Sequence, residues 1–322
     1  MSYNRSVRTK KQAEVPESSI EAPRRRGHLI TEYRNPRSEE LDRMSVMEVL
    51  ELINDEDAMV PGAVRKALPR IAEFVERVVQ SFRSGGRLIY VGAGTSGRLG
   101  VLDAAECPPT FSVSPELVRG IIAGGAPALT SSVEGAEDLP EKGAESLKEL
   151  DLSAKDCVLG IATGATTPFV HGALAYARKV GAGTGFLVCT SEDAIRGHAD
   201  VIIPVVVGPE VVTGSTRMKA GTATKLVLNM ITTTAMVQLN KTYGNLMVDL
   251  KALNAKLWDR GARIISEVAR LTYEEALDVL KQADGEVKTA LVMAQRGLSA
   301  EESRSRLKDQ DGSLRRVLES GD

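Results

Sequence analysis

Donors for an anion gather in one glycine-rich stretch of the sequence. This stretch, the first turn, runs from Gly92 to Arg98 and follows Leu88 to Val91, an apolar run typical of a buried parallel strand. Where such a turn opens a helix, backbone N–H groups and the positive end of the helix dipole face one point. The residues predicted to bind a phosphate group here are Gly94, Thr95, Ser96, Gly97 and Arg98.

The first turn does not match the motifs of nucleotide-binding proteins. Thr95 and Ser96 interrupt the glycine pattern, and the next predicted strand, Val118 to Ile122, ends in Ala-Gly rather than in an acidic residue. The chain also lacks a GxxxxGK[ST] run. The residues alone leave two alternatives open: a phosphate site, or glycines that only allow a helix to pack closely on a sheet.

Carboxylates that could exchange protons stand downstream of the first turn. Glu106 follows a predicted helix over Leu99 to Ala105, where an acid opposes the helix dipole and, if poorly solvated, could act as a general acid. Glu134 and Glu137 are three residues apart, and a helical segment would place them on one face. The ordinary alternative for all of them is a solvated surface glutamate.

Two further turns are rich in hydroxyl groups. The second turn, Thr163 to Pro168, follows the apolar run Cys157 to Ala162, and the third turn, Thr213 to Thr222, precedes a predicted helix over Ala223 to Leu239. The basic residues of the third turn could hold a phosphate or form ordinary ion pairs. The predicted phosphate ligands in these two turns are Thr166, Thr167, Ser215, Thr216, Arg217 and Lys219.

The elements that must position these residues alternate between strand and helix. This alternation predicts an α/β fold, a doubly wound parallel sheet with helices on both faces. Ligands bind such sheets at the carboxyl ends of the strands, where the three turns fall. Ser45 and Glu48 predict a capping box for a helix ending at Asn54, and Pro61 suits the first turn of a helix reaching Ser81. The predicted strands are 88–91, 118–122, 157–162, 185–189 and 201–207.

We predict three parts along the chain. Residues 1–30 are polar and are expected to form a disordered extension, followed by an α/β domain over 31–265. Residues 266–322 are expected to form a small helical domain without catalytic equipment. Helical patterns cover 245–270, 273–283, 287–293 and 300–309.

Composition excludes several classes of function. The 322 residues carry a net charge of -2, which gives no electrostatic basis for binding nucleic acid or an anionic membrane. No apolar run is long enough to span a bilayer, and no secretory signal is recognisable at the N-terminus. Three cysteines are too few for a disulfide framework, and the three histidines lack metal-ligand spacing. A cytoplasmic protein is expected.

Several motifs together resemble one family, that of N-acetylmuramic acid 6-phosphate etherase. The likeness covers residues from about 31 to the C-terminus, and the joint occurrence of the motifs at these separations is highly specific. They are NDED (54–57), GAGTSGRLG (92–100), LDAAECPPT (102–110), IAGG (122–125), VEGAED (133–138), VVTGSTRMKAGTATKLVLNM (211–230) and YGNLMVDL (243–250).

The resemblance implies a sugar-isomerase-type (SIS) domain, a small C-terminal helical domain and a homodimer that needs no metal or nucleotide. The family cleaves the lactyl ether of its phosphosugar substrate, giving N-acetylglucosamine 6-phosphate and D-lactate in cell-wall recycling. Carried over by motif, Glu106 is the acid towards the leaving lactate and Glu137 the base at C2. The 6-phosphate would be held in the three turns.

One departure from the family pattern affects the second turn. The family usually carries Ser-Gly-Arg-Thr-Pro where this chain has Gly164-Ala165-Thr166-Thr167-Pro168, so a serine and an arginine are missing. Thr163, Thr166 and Thr167 supply hydroxyl groups but not the positive charge. Two alternative functions on the same fold are a sugar-phosphate isomerase and a phosphosugar-sensing protein resembling the glucokinase regulator. Retention of both Glu106 and Glu137 favours the etherase.

Overall fold

A parallel sheet forms the centre of the molecule. The computed structural model describes residues 26–191, 195 and 198–320, and within them the sheet has five strands. The strands are β1 (Leu88–Gly92), β2 (Val118–Ile122), β3 (Cys157–Ile161), β4 (Gly183–Val188) and β5 (Val201–Pro204). Their order across the sheet is β2-β1-β3-β4-β5, and all neighbouring strands are parallel, which confirms the predicted fold class.

The strand order reverses direction at the centre of the sheet. From β1 the chain moves outward to β2, then returns to pair β3 on the other side of β1 and continues outward to β5. The carboxyl ends of β1 and β3 therefore flank the switch point, where open α/β sheets form their binding crevice. The first and second turns follow these two strands.

Helices cover both faces of the sheet because its strands point alternate side chains in opposite directions. The flanking helices are α1 (Val46–Ala58), α2 (Val60–Arg83), α3 (Gly94–Phe111), α4 (Pro140–Lys148), α5 (Pro168–Val180) and α6 (Lys219–Gln238). Leu88 and Tyr90 belong to the apolar cluster under α2, α3 and α6, whereas Ile89 and Val91 belong to the cluster under α4 and α5.

The C-terminal helices form an apolar cluster of their own. It contains Val248, Ile265 and Val317, so the boundary predicted after residue 265 falls inside the first of these helices. The helices of this region are α7 (Ala255–Ala269), α8 (Tyr273–Gln282), α9 (Val287–Arg296), α10 (Ala300–Asp309) and α11 (Leu314–Glu319). The sequence predicts the three short helices α8, α9 and α10, and α11 is an additional helix after them.

Local signals explain several element boundaries. The Ser45 hydroxyl accepts from the Glu48 N–H and the Glu48 carboxylate accepts from the Ser45 N–H, which confirms the predicted capping box, although the helix extends to Ala58. Ser38 could cap a helix over residues 39–44 by sequence, and that expectation is wrong, because only short 3-10 turns form there. The predicted extension 1–30 lies outside the described residues as far as residue 25, and Leu29 is buried.

No helix in the described ranges is both long and apolar enough to cross a bilayer.

Candidate active site

The first turn becomes the start of a helix. Ala93 is the N-terminal cap of α3, and Gly94 opens the helix with a positive φ of 53°, a conformation that favours glycine. Thr95 is half-buried and Ser96 is buried in the first helical turn. The helix is therefore longer than the predicted segment 99–105 and presents its N-terminus at the carboxyl edge of the sheet.

Close packing accounts for another glycine of this turn. A Cβ on Gly97 would lie 2.6 Å from Ile122 Cγ1 and 2.8 Å from the Gly92 carbonyl oxygen. A side chain at Gly97 would thus collide with both β1 and β2. The packing alternative therefore holds for Gly97, whereas nothing lies within 4 Å of a Cβ on Gly94, whose role as a phosphate ligand stays a prediction.

The third turn lies against the first. A Cβ on Gly221 would be 3.6 Å from Thr95 Cγ2 and 3.8 Å from the Thr216 carbonyl oxygen. Ser215 and Thr216 are half-buried, and Arg217 is exposed. The chain thus brings the hydroxyl groups of two predicted phosphate-binding turns to the same edge of the sheet.

Lys219 is placed differently from its neighbours. Its side chain is 2% exposed, and its ammonium forms a buried ion pair with the Glu56 carboxylate, which also accepts from Arg37 Nη1 at 3.2 Å. The ion pair is the alternative that the sequence leaves open for this residue. As a phosphate ligand, Lys219 stays a prediction that would require this pair to open.

A second buried carboxylate occupies the N-terminus of α6. Glu210 accepts from the Lys219 N–H at 3.2 Å and from the Ala220 N–H at 3.0 Å. Burial raises the pKa of the Glu210 carboxyl above its ordinary value, against the lowering by these N–H groups and by the Lys219 charge. The first two backbone donors of α6 are therefore already bound by the protein itself.

The second turn ends at the N-terminus of α5. Thr167 caps this helix without a side-chain hydrogen bond, and Thr166 beside it is half-buried. Ala165 has a positive φ of 58°, where the family pattern carries glycine, and its carbonyl accepts from His171 Nε2 at 2.8 Å. The histidine holds the turn in a backbone conformation that alanine disfavours.

Glu137 lines a cavity beside the first turn. The cavity has a volume of about 300 Å³ and is bordered by Gly94, Arg98 and the loop over 131–138, including Glu134. Glu137 lies in a 3-10 turn, Ala136–Asp138, and its side chain is exposed. The structure therefore joins a predicted base with two predicted phosphate-binding residues.

Arg98 ties α3 to the loop that carries Glu137. Its Nε donates to the Leu129 carbonyl at 3.2 Å, and its Nη2 donates to the Ser131 carbonyl at 3.3 Å. These carbonyls stand only a few residues before Glu134 and Glu137. The guanidinium predicted to hold phosphate thus fixes the loop at the same time.

Glu106 does not line this cavity. It stands twelve residues after Gly94 on α3, which is roughly 18 Å along the helix axis, and it is exposed. Because α3 continues through Pro108 and Pro109 to Phe111, Glu106 is not the last residue of a helix. The poor solvation that would suit Glu106 to act as a general acid is therefore absent in the single chain.

A buried carboxylate one turn before Glu106 fixes the orientation of α3. Asp103 accepts from Tyr90 Oη at 2.9 Å, from Asn229 Nδ2 at 2.7 Å and from Thr232 Oγ1 at 3.3 Å. These partners lie on β1 and α6, so α3 is held against both elements. Asp103 and Asn229 stand inside the quoted family motifs, but no spacing in the sequence predicts their contact, because they are 126 residues apart.

Cys107 does not offer an alternative nucleophile. Burial, with the Asp103 charge, raises the pKa of its thiol to about 12. A thiol with such a pKa remains protonated near neutral pH and reacts poorly.

Comparison with known proteins gives the class of this domain first. The family model of the glucokinase regulatory protein N-terminal SIS domain matches residues 70–178, which include β1, α3 and most of α5. Among solved structures, a phosphoheptose isomerase from Neisseria gonorrhoeae is 16% identical with a TM-score of 0.45, covering 59% of this chain and 98% of that one. The family match and the parallel sheet define a SIS-type domain.

Full-length relatives are more specific. A protein from Rhodopirellula baltica named N-acetylmuramic acid 6-phosphate etherase is 51% identical over 290 residues, 90% of this chain and 96% of that protein. A protein of the same name from Yersinia pestis strain Pestoides F is 52% identical over 292 residues, covering 91% and 99%. This chain belongs to the N-acetylmuramic acid 6-phosphate etherase family.

Proposed function

We propose that this protein is a carbon–oxygen lyase that cleaves the D-lactyl ether of N-acetylmuramic acid 6-phosphate. The products are N-acetylglucosamine 6-phosphate and D-lactate, which fits a role in recycling the amino sugars of the bacterial cell wall. The observation that carries the proposal is the cavity that sets Glu137 beside the N-terminus of α3, in a chain that shares half its residues with etherases over 90% of its length.

The reaction proceeds by elimination and then hydration. Ring opening exposes an aldehyde at C1, which acidifies the C2 proton, and Glu137 removes that proton. The electron pair of the broken C2–H bond is held as an enolate with the C1 carbonyl, and it then forms the C2–C3 double bond as the C3–O bond breaks and Glu106 protonates the departing lactate oxygen. Glu106 then takes a proton from a water that adds to C3, while Glu137 returns a proton to C2. General acid–base help of this kind gives roughly 10²–10⁴-fold for each group.

The phosphate group anchors the sugar in this proposal. Thr95 and Ser96 at the start of α3, Thr166 and Thr167 before α5, and the third turn offer donors at one edge of the sheet. Fixing the 6-phosphate there would hold C2 and C3 in one position relative to the catalytic carboxylates.

We further propose that two copies assemble into a homodimer that completes each site. The separation along α3 argues against Glu106 and Glu137 of one chain acting on neighbouring carbons. Leu102 lies one helical turn before Glu106 and is 52% exposed, so the face of α3 that carries Glu106 offers apolar surface to a second copy. Glu106 of the partner subunit would then meet Glu137.

Three free cysteines support a reducing compartment such as the cytoplasm. Cys107, Cys157 and Cys189 are all unpaired and buried.

Substitution of each glutamate tests the two roles separately. We expect Glu106→Gln to lower the rate of lactate release by at least roughly 100-fold, because the ether oxygen loses its acid. Glu137→Gln should also stop the exchange of the C2 hydrogen with deuterated water, whereas Glu106→Gln should retain that exchange. Glu141→Gln, an exposed glutamate on α4, is the control and should behave as the wild type. A Glu106→Gln variant as fast as the wild type would refute its role.

A further inference from the structure

The N-terminal segment is fastened across the active-site edge of the sheet. Asn35 Nδ2 donates to the Pro209 carbonyl at 3.2 Å, and Ser38 Oγ donates to the Val211 carbonyl at 2.8 Å. Both acceptors stand just before the third turn. Residues 29–38, here called the N-terminal strap, therefore belong to the folded domain rather than to an extension.

One polar atom of the strap lacks a partner. Thr31 is 2% exposed, and its Oγ1 has no hydrogen-bond partner among the described residues. A buried polar group without a partner normally costs stability, so its retention calls for a reason.

This hydroxyl faces the second turn. A Cβ on Gly164 would lie 3.5 Å from Thr31 Oγ1 and 3.8 Å from Thr166 Oγ1, so both hydroxyls lie on the same side of Gly164. Thr190 is fully buried and likewise has an unpartnered Oγ1. It follows Cys189, whose N–H donates to the Thr163 carbonyl at 2.8 Å, so it stands beside the same turn. Unsatisfied hydroxyls thus concentrate around one turn at a helix N-terminus.

We propose that the Thr31 hydroxyl binds the phosphate group of the substrate, together with Thr166 and the N-terminus of α5. This inference rests on the proposed function for the identity of the phosphosugar. The second turn has lost the serine and the arginine of the family pattern at Gly164 and Thr166. Thr31 supplies a hydroxyl from another part of the chain to the position that Gly164 leaves without one.

A pair of substitutions tests the role of this hydroxyl. Thr31→Val keeps the shape of the side chain and removes the hydroxyl. We expect it to raise KM for N-acetylmuramic acid 6-phosphate roughly 10–100-fold, because one hydrogen bond to a charged group is lost. The value of kcat for this variant should stay within about threefold of the wild type. Its melting temperature should not fall, because the hydroxyl has no partner in the free protein. Thr31→Ser keeps a hydroxyl and should retain most of the wild-type affinity.

Ser303→Ala is the matched control. Ser303 is also buried with an unpartnered hydroxyl, but it lies on α10 in the helical region. This variant should leave KM unchanged. An unchanged KM in Thr31→Val, or an equal rise in Thr31→Val and Thr31→Ser, would overturn the inference while leaving the etherase activity intact.

Thermal protection by inorganic phosphate tests the role of Thr31 separately from the etherase activity. We expect millimolar phosphate to raise the melting temperature of the wild type and to protect Thr31→Val less, because a ligand stabilises the folded state according to its affinity. If the wild type releases no lactate, the proposed function fails and Thr31 is judged on this protection alone. Equal protection of both proteins, including none in either, overturns the inference.

Discussion

Arg98 forms contacts in the fold that are additional to the phosphate binding predicted by its sequence motif. The motif predicts a phosphate ligand, and the structure adds two hydrogen bonds from the guanidinium to the Leu129 and Ser131 carbonyls. A planar fork of donors can hold two carbonyls at once, which an ammonium group cannot do in the same geometry. The loop that carries Glu137 therefore depends on the arginine side chain for its position.

Arg98→Lys keeps the positive charge but removes the planar set of guanidinium donors that binds the two carbonyls. If the tether matters most, kcat should fall roughly 10–100-fold with KM changed no more than about threefold, because a small displacement of the base is costly. Steady-state lactate release measures both constants. Arg119→Lys on β2 replaces a guanidinium of a similarly half-buried residue and should have no effect. A large rise in KM with unchanged kcat would instead show that Arg98 serves the phosphate alone.

The sequence predicts which residues form the site better than it predicts the distances between them in the folded chain. The motifs name Glu106 and Glu137, but nothing local in them indicates how far apart the folded chain sets them. The ion pair of Glu56 with Lys219 joins residues 163 apart in sequence, so no spacing rule could identify it. Thr31 could be recognised only from its missing partner in the folded protein.

Among the elements, β1 and β3 are joined by charges at the edge opposite the active site. Asp156 accepts from the Arg87 N–H at 2.8 Å and from Arg87 Nη2 at 3.0 Å, and it also accepts from the Ser153 N–H at 2.9 Å. Burial alone would raise the pKa of Asp156, but these hydrogen bonds and the Arg87 charge outweigh it and lower the pKa below its ordinary value. The ionised carboxylate thus stabilises the pairing of the two central strands.

Asp156→Asn should destabilise the fold by roughly 2–4 kcal/mol at neutral pH. The asparagine amide would place its own N–H donors against the N–H donors of Arg87 and Ser153, and the charge opposite Arg87 would be lost. Since the folded-state pKa is lowered, this stability is present above the ordinary aspartate pKa, near 4, and is lost as pH falls through the folded-state value. Chemical denaturation of both proteins from pH 7 to pH 3 measures the difference. Asp151→Asn in the same loop is the control. A constant difference across this range would contradict the proposed role of the charge.

The strands were easier to predict than the helix starts. The bounds of β2 match the prediction, since a short apolar run between polar turns defines a buried strand. Helix α3 begins at Gly94 and continues through two prolines, whereas the sequence pattern suggests a helix only between the glycines and the prolines. Backbone packing of Gly97 on β1 and β2 overrides this local preference.

For the whole molecule, the separation of the two glutamates leads to a test of the homodimer. We expect a Glu106→Gln chain and a Glu137→Gln chain, each inactive alone, to regain activity when co-expressed with different tags and purified through both. Such a dimer contains one site with both native carboxylates and should release lactate at about half the wild-type rate. Dimers of two Glu106→Gln chains are the control. Failure to capture a doubly tagged complex, or an inactive one, would contradict sites shared between subunits.

The release of D-lactate from N-acetylmuramic acid 6-phosphate by the purified wild-type protein is the most direct test of the proposed function. We predict stoichiometric D-lactate and N-acetylglucosamine 6-phosphate, with one solvent-derived hydrogen at C2 when the reaction runs in deuterated water. An isomerase would yield a ketose phosphate and no lactate, and a sensor would bind the sugar without turnover. The absence of lactate with the intact substrate would contradict the etherase assignment.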